Sequence, residues 1–138
     1  MQLSHLDHIV LRVNDPKQMV QFYTAVLGTT VERQLDIGLI QLRAGSALID
    51  LVPVDSELGG RGGAPGPQAR NLDHFCFRVE PFDTEAIAAH LRAHDIDVPP
   101  LATRYGADGF GPSLYISDPE GNVIELKGPP ERQLESPA

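Results

Sequence analysis

The order of apolar and polar positions changes period several times along the chain, and each change marks an element. Over residues 5–13 aliphatic and polar side chains alternate, the period of a strand with one face buried. Ile9, Leu11 and Val13 take one face and pack under a helix; His8, Val10 and Arg12 take the other. At Asn14-Asp15-Pro16 the pattern shifts. Asp15 suits an N-cap, and Pro16 suits the first helical position, where no N–H is needed. Met19, Phe22, Tyr23 and Val26 follow at helical spacing, which predicts a helix over about 16–27 that stops at Gly28. Strands are predicted over 30–34, 37–44 and 46–53, the last two joined by a tight hairpin at Gly45.

Residues 54–70 then lose all periodicity. Gly59, Gly60, Gly62, Gly63 and Gly66, with Pro65 and Pro67, read as a linker without a regular element. Beyond it the order returns: a strand over 71–79, a helix over 84–94 capped by Asp83 or Thr84, and short strands near 97–98 and 102–105. A hairpin of 113–117 with 122–127 closes the series across Asp118-Pro119-Glu120-Gly121-Asn122, where Pro and Gly supply the turn chemistry. Residues 129–138 hold three prolines, lack a period and read as a disordered tail. The layout is strand, helix and three strands, twice over, with modules at about 5–53 and 71–127 inside one domain spanning 1–128.

The repeat is visible in the letters as well. Leu6-Asp7-His8-Ile9-Val10-Leu11-Arg12-Val13 returns 66 residues later (74 − 8 = 66) as Leu72-Asp73-His74-Phe75-Cys76-Phe77-Arg78-Val79. Ile49-Asp50-Leu51 has its counterpart in Ile124-Glu125-Leu126. Each half thus carries a histidine on one apolar strand and an acid on another. Buried acids beside buried imidazoles are costly unless something compensates their charge, and a divalent cation does so at one stroke. Two His and two carboxylates suit Zn, Ni, Mn or Fe(II), and a two-His, one-carboxylate subset suits non-haem iron. His8, Asp50, His74 and Glu125 are therefore the candidate metal ligands. A lone strand histidine is more often a hydrogen-bonded residue than a ligand; it is the repetition that carries this reading.

Bulk properties narrow the function further. A chain of 138 residues suits one domain able to bury roughly two-thirds of its unfolded surface. The net charge of −8 argues against a nucleic-acid partner, since phosphate binding needs a basic surface. The single cysteine excludes an internal disulfide and fits a cytoplasmic setting. No run is long and apolar enough to span a membrane, and the N-terminus has no secretory pattern.

With these motifs in place, the sequence resembles the vicinal oxygen chelate superfamily. That group includes glyoxalase I, bleomycin-resistance proteins, fosfomycin-resistance enzymes, methylmalonyl-CoA epimerase and extradiol dioxygenases. The resemblance rests on Leu6-Asp7-His8, the helix end Phe22-Tyr23-Thr24-Ala25-Val26-Leu27-Gly28, Asn71-Leu72-Asp73-His74, and the run from Asp118 to Leu126. It implies an α+β fold of two βαβββ modules forming a cupped mixed β-sheet, with a divalent metal held by His8, Asp50, His74 and Glu125. It further implies a small-molecule substrate chelated through two neighbouring oxygens, a homodimer, and a glyoxalase-I-like lyase or isomerase with Glu125 as catalytic base and Asp50 as second candidate. A glyoxalase-like site has Glu where this chain has Asp50, whereas fosfomycin enzymes and dioxygenases need only the positions of His8, His74 and Glu125. The alternatives are accordingly a fosfomycin-type thiol transferase, an extradiol-type dioxygenase, or a metal-free drug-binding resistance protein. The aromatic content of 6% and the intact His and acid set disfavour the last.

Other residues read more plainly. Arg12, Arg78 and Arg104 are candidate contacts for an anionic substrate, against the usual reading of solvated strand-end charges. Tyr115 reads either as a hydrogen-bond partner of a bound oxygen or as a packing residue, with packing slightly favoured; Cys76, a candidate to line the cup, reads rather as an inert buried thiol. His90 and His94 read as exposed helix residues. The glycine-rich stretch 105–111 reads equally as a mobile flap or a plain connecting loop.

Overall fold

A computed structural model describes residues 1–131. Its elements follow in the order β1 (His8–Val13), α1 (Pro16–Ala25), β2 (Thr30–Gln34), β3 (Ile40–Ala44) and β4 (Ala47–Pro53), then a one-turn 3-10 helix (Gly59–Arg61). After it come β5 (Phe75–Arg78), α2 (Thr84–Ala93), β6 (Ala102–Gly106), β7 (Gly109–Ser117) and β8 (Val123–Lys127). This is βαβββ twice, an α+β fold. The strands form two four-stranded mixed sheets, one per repeat, ordered β1-β4-β3-β2 and β5-β8-β7-β6. In each sheet the first strand of the repeat runs parallel to the last, and the remaining pairs are antiparallel. The described residues divide into two compact units: 1–71 with 118–121, and 72–117 with 122–131.

In the first unit the alternation of β1 is realised as read. Leu11 and Val13 are fully buried, while Val10 stays exposed on the opposite face. Met19 and Tyr23, one helical turn apart on α1, are buried completely. Each such side chain contributes roughly 1.5–3 kcal/mol by leaving water. Asp15 caps α1 by accepting from the Gln18 N–H at 3.1 Å. The turn at 118–121 belongs to this unit. The buried Tyr23 hydroxyl donates to Asp118 Oδ2 at 2.8 Å, and the Glu120 carboxylate accepts from the backbone N–H groups of Asn14 (2.7 Å) and Asp15 (2.8 Å). The Asp-Pro-Glu-Gly-Asn motif is therefore more than a hairpin turn, since it fixes the entry of α1.

The linker differs from the expectation of a featureless segment. It contains the 3-10 turn at Gly59–Arg61, and the Arg12 guanidinium holds it by donating to the carbonyls of Gly59 (2.9 Å) and Gly62 (2.5 Å). Gly59 is required there, because a Cβ would lie 1.8 Å from the Pro53 carbonyl oxygen. Asn71 acts as a one-residue strand partner for β1: its side-chain amide accepts from the Arg12 N–H and donates to the Arg12 carbonyl, both at 3.0 Å.

In the second unit Asp83, not Thr84, is the N-cap, accepting from the Ala86 N–H at 3.0 Å. β5 is only four residues long, and residues 97–98 form no strand. Those two residues precede Pro99-Pro100, where no N–H groups remain for a ladder. The stretch 105–111 is a tight hairpin, with Gly106 paired to Gly109. The expected disordered tail lies outside the described residues from 132 onward. Before that point the Gly128 N–H donates to the Pro112 carbonyl, and the Glu131 N–H to that of Phe110.

Candidate functional site

The strand registers place the four expected ligands in equivalent positions. Asp50 lies opposite Val10 across β4 and β1, and Glu125 lies opposite Cys76 across β8 and β5. His8 and His74 stand two residues before those partners, so each histidine shares the face of its acid and lies diagonally across from it. The structure thus yields one His–acid pair in each unit. The acids are buried, Asp50 at 4% and Glu125 at 6% exposure. The imidazoles are not, contrary to expectation: the side chains of His8 and His74 are 47% and 37% exposed, because both stand at the head of their strands rather than inside them.

Within the second unit His74 Nε2 lies 3.5 Å from Glu125 Oε1. The other ring nitrogen, Nδ1, is 2.6 Å from Asp73 Oδ2, and in the first unit His8 Nδ1 is 2.7 Å from Asp7 Oδ1. An aspartate on Nδ1 fixes the ring and leaves Nε2 as the free donor atom, the arrangement that supports metal-ligating histidines. The sequence reading missed this role for Asp7 and Asp73. The signal was present, since both copies of the motif repeat the acid together with the histidine. The hydrogen bond to Asp7, helped by the charge of Asp50, raises the pKa of His8 above the ordinary imidazole value.

Glu125 is the most elaborated group. Its Oε2 accepts from the Ser113 hydroxyl at 2.9 Å and from the Cys76 thiol at 3.4 Å, and the Tyr115 hydroxyl also donates to the carboxylate. Burial pushes the Glu125 carboxyl up, but these hydrogen bonds and the Lys127 charge outweigh it and hold it below its ordinary value. Tyr115 therefore does more than pack; the same bond raises its own pKa, and its ring meets that of His74 edge-on at 5.5 Å. Cys76 is exposed rather than buried, yet desolvation and the neighbouring Glu125 charge push its thiol up to about 12, so it stays protonated at neutral pH. In the first unit Asp50 meets a single side-chain amide, Gln41 Nε2, 3.1 Å from both carboxylate oxygens.

A cavity of about 440 Å³ opens within the second unit, lined by His74, Cys76, Arg78, Glu125 and Lys127 and by the hairpin residues 105–108. Arg78 is not free for an anion, because it pairs with Glu80 at 3.0 Å and Asp108 at 2.5 Å. Arg12 is equally committed, to the linker carbonyls. His90 and His94 are exposed on α2, ring against ring at 4.8 Å.

The residues present fit a divalent cation in part. Two ligands held at about 2.1 Å from one tetrahedral ion stand roughly 3.4 Å apart, and His74 Nε2 and Glu125 Oε1 are 3.5 Å apart. The donor set, imidazole and carboxylate each oriented from behind, suits zinc and its first-row neighbours. Among the described residues no group of three or more His, Cys, Asp or Glu converges to hold an ion. No helix of the described residues is long and apolar enough to cross a membrane.

Comparison with known proteins identifies the family and the fold. The profile of the Glyoxalase/Bleomycin resistance protein/Dioxygenase superfamily matches residues 5–126. Virulence protein STM3117 of Salmonella typhimurium is 31% identical over 128 residues, 91% of this chain and 85% of that protein. Its crystal structure superposes with a TM-score of 0.77 and 27% identity, covering 93% of this chain and 98% of the other. Glutathione transferase FosA of Serratia marcescens is 28% identical, covering 90% of this chain and 80% of that protein. The chain belongs to the Glyoxalase/Bleomycin resistance protein/Dioxygenase superfamily, built as two βαβββ repeats, each with a histidine and an acid at matching places.

Proposed function

We propose that the chain is a cytoplasmic metal-dependent enzyme acting on a small substrate with two neighbouring oxygens. The observation that carries this reading is the pair His74 Nε2 and Glu125 Oε1, 3.5 Å apart and each supported from behind. His74 and Glu125 would hold the divalent ion, Zn, Ni, Mn or Fe(II), with further donors from His8 and Asp50 of the same chain or of a second copy in a homodimer. When bound, the ion supplies a Lewis acid for the substrate oxygens. The chain's own residues do the rest: Asp73 and Asp7 orient the imidazoles, while Ser113, Cys76 and Tyr115 keep Glu125 ionised at neutral pH.

Glyoxalase-I-like isomerisation needs a base for a proton alpha to a carbonyl, with Glu125 first and Asp50 second in line. A base works best with a pKa near the working pH, whereas Glu125 is held below its ordinary value. A carboxylate that stays ionised fits the ligand role, and the Serratia marcescens relative is named a glutathione transferase; the first reading is accordingly a thiol transfer in which Glu125 stays a ligand. Isomerisation is the second reading, supported by the buried Asp50 at the remaining acid position.

Elemental analysis of untagged protein tests the metal. The parent should carry a stoichiometric divalent ion, and His74→Ala and His8→Ala should lose it; equal metal in all three would end this reading. Turnover of fosfomycin with glutathione, against isomerisation of the methylglyoxal–thiol adduct, each under Ni, Mn and Fe(II), then separates the two reactions.

A further inference from the structure

Of the two candidate ligand acids, Asp50 and Glu125, Glu125 has a buried ammonium behind it. Lys127 lies two residues beyond Glu125 on β8, hence on the same face, and is 5% exposed. Its Nζ donates to the Arg104 carbonyl, to the Gly111 carbonyl at 3.3 Å and to Ser113 Oγ at 3.4 Å. Lysine has three donors, and all are used. Ser113 is itself fully buried, and its hydroxyl passes the interaction on to Glu125 Oε2 at 2.9 Å. Oε2 is thereby tied from behind, and Oε1 is the oxygen left facing His74 Nε2. β6 makes room for the lysine stem: a Cβ at Gly106 would stand 2.7 Å from Lys127 Cε.

The first unit is an internal control. Val52 stands two residues beyond Asp50 as Lys127 stands two beyond Glu125, and both are 5% exposed. Gln41 lies opposite Asp50 as Tyr115 lies opposite Glu125. Two residues before each comes Leu39 in one copy and Ser113 in the other. Packing at this position is thus satisfied by an aliphatic side chain. A buried ammonium there is costly and needs compensation, and Lys127 obtains it from two carbonyls and, through Ser113, from the Glu125 carboxylate.

We propose that Lys127 is a positioning residue, whose ammonium acts through Ser113 to fix the Glu125 rotamer so that Oε1 is the oxygen presented beside His74 Nε2. This rests on the reading that His74 and Glu125 hold a divalent ion, and it names the group that aims the carboxylate. The test titrates Zn²⁺ into metal-stripped protein by calorimetry, parent first, with thermal unfolding of each variant alongside. Lys127→Met and Ser113→Ala should each weaken Zn²⁺ binding roughly 10- to 100-fold, the scale found for groups that orient metal ligands. Ser113→Thr, which keeps the hydroxyl, should bind within a few-fold of the parent, and the double variant should be no worse than the worse single one, because both lie on one chain of bonds. A purely structural lysine would lower the unfolding temperature and leave the affinity alone. Parent-like Zn²⁺ affinity in Lys127→Met and Ser113→Ala overturns the proposal while leaving the metal reading intact. If Lys127→Met does not fold, Ser113→Ala decides, since the ammonium keeps both carbonyl partners. A parent that takes up no Zn²⁺ ends the metal reading and this inference together.

Discussion

In the first unit a buried acid meets one amide; in the second it meets a hydroxyl, a thiol, a phenol and the charge of a buried lysine. The strand registers are the same, so the difference is one of side chains on a common frame. On the packed face the copies stay apolar: Leu11 matches Phe77, Ile49 matches Ile124, Leu51 matches Leu126. On the opposite face Val10 became Cys76 or the reverse, and Gln41 is matched by Tyr115, Leu39 by Ser113, Val52 by Lys127 and Asp50 by Glu125. Close packing resists change on the first face. On the second face, buried positions exchange aliphatic for polar side chains where hydrogen-bond partners are present, and there the repeat has specialised, with the richer chemistry in the second copy.

Unequal acids are the most direct way to break that comparison. Glu125→Gln should lower divalent-metal affinity by about 100-fold or more, beyond the loss from a merely orienting group, while Asp50→Asn should cost less than about 10-fold. Equilibrium dialysis with Ni²⁺ or Mn²⁺ measures both; equal losses would make the two units equal partners. Next comes transplantation. Val52→Lys places an ammonium where Leu39 stands in for Ser113, and should destabilise the protein by about 3 kcal/mol or more in urea unfolding, the cost of an uncompensated buried charge. A tolerated Val52→Lys would mean that the site accepts charge generally and that Lys127 needs no special partners.

The Asp118–Gly121 turn supplies a smaller effect, confined to the first unit. Asp118→Ala strands the buried Tyr23 hydroxyl and should cost about 2 kcal/mol, whereas adding Tyr23→Phe should recover part of that loss, because the buried hydroxyl is then gone and only the part-buried Glu120 N–H has lost its acceptor. Acid titration gives a further contrast. Glu125 has a folded pKa below its ordinary 4.5, so its contribution to stability is present above that value and is lost as pH falls through the lower folded one. Urea unfolding of Glu125→Gln should therefore show a flatter pH dependence below about 4.5 than the parent.

Much of this was legible in the chain because the elements are strongly periodic. β1, α1, β2 and β4 fall within a few residues of the expected bounds, and the doubled Leu-Asp-His led to the two His–acid pairs. Lys127 was not legible: a lysine at the end of a strand reads as solvated, and only the sheet shows that β6 and β7 close over it. Arg12 misled for the converse reason. A strand-end arginine reads as a solvated charge or as a contact for an anion, but its partners are carbonyls of a linker 47 and 50 residues away in sequence. The stretch 105–111, open in the sequence between a flap and a plain connection, is a hairpin, and its Gly106 leaves room for the lysine stem.

The smallest effect tests the part of the repeat that should still be symmetric. Asp15 and Asp83 cap α1 and α2 in the same way, each accepting one N–H three residues on. Replacing either with Ala should cost about 1 kcal/mol, and urea midpoints of the two variants should nearly coincide. The helices reach that parity by different means. α2 carries Glu85 in its first turn, favourable to the positive end of the helix, whereas α1 has no acid there and draws on Glu120 from the distant turn. Glu85→Gln should therefore lower stability by about 0.5 kcal/mol. Glu120 also bonds the Asn14 and Asp15 N–H groups, so its loss should exceed that of Glu85. Equal losses would mean that the turn acts on α1 by charge alone.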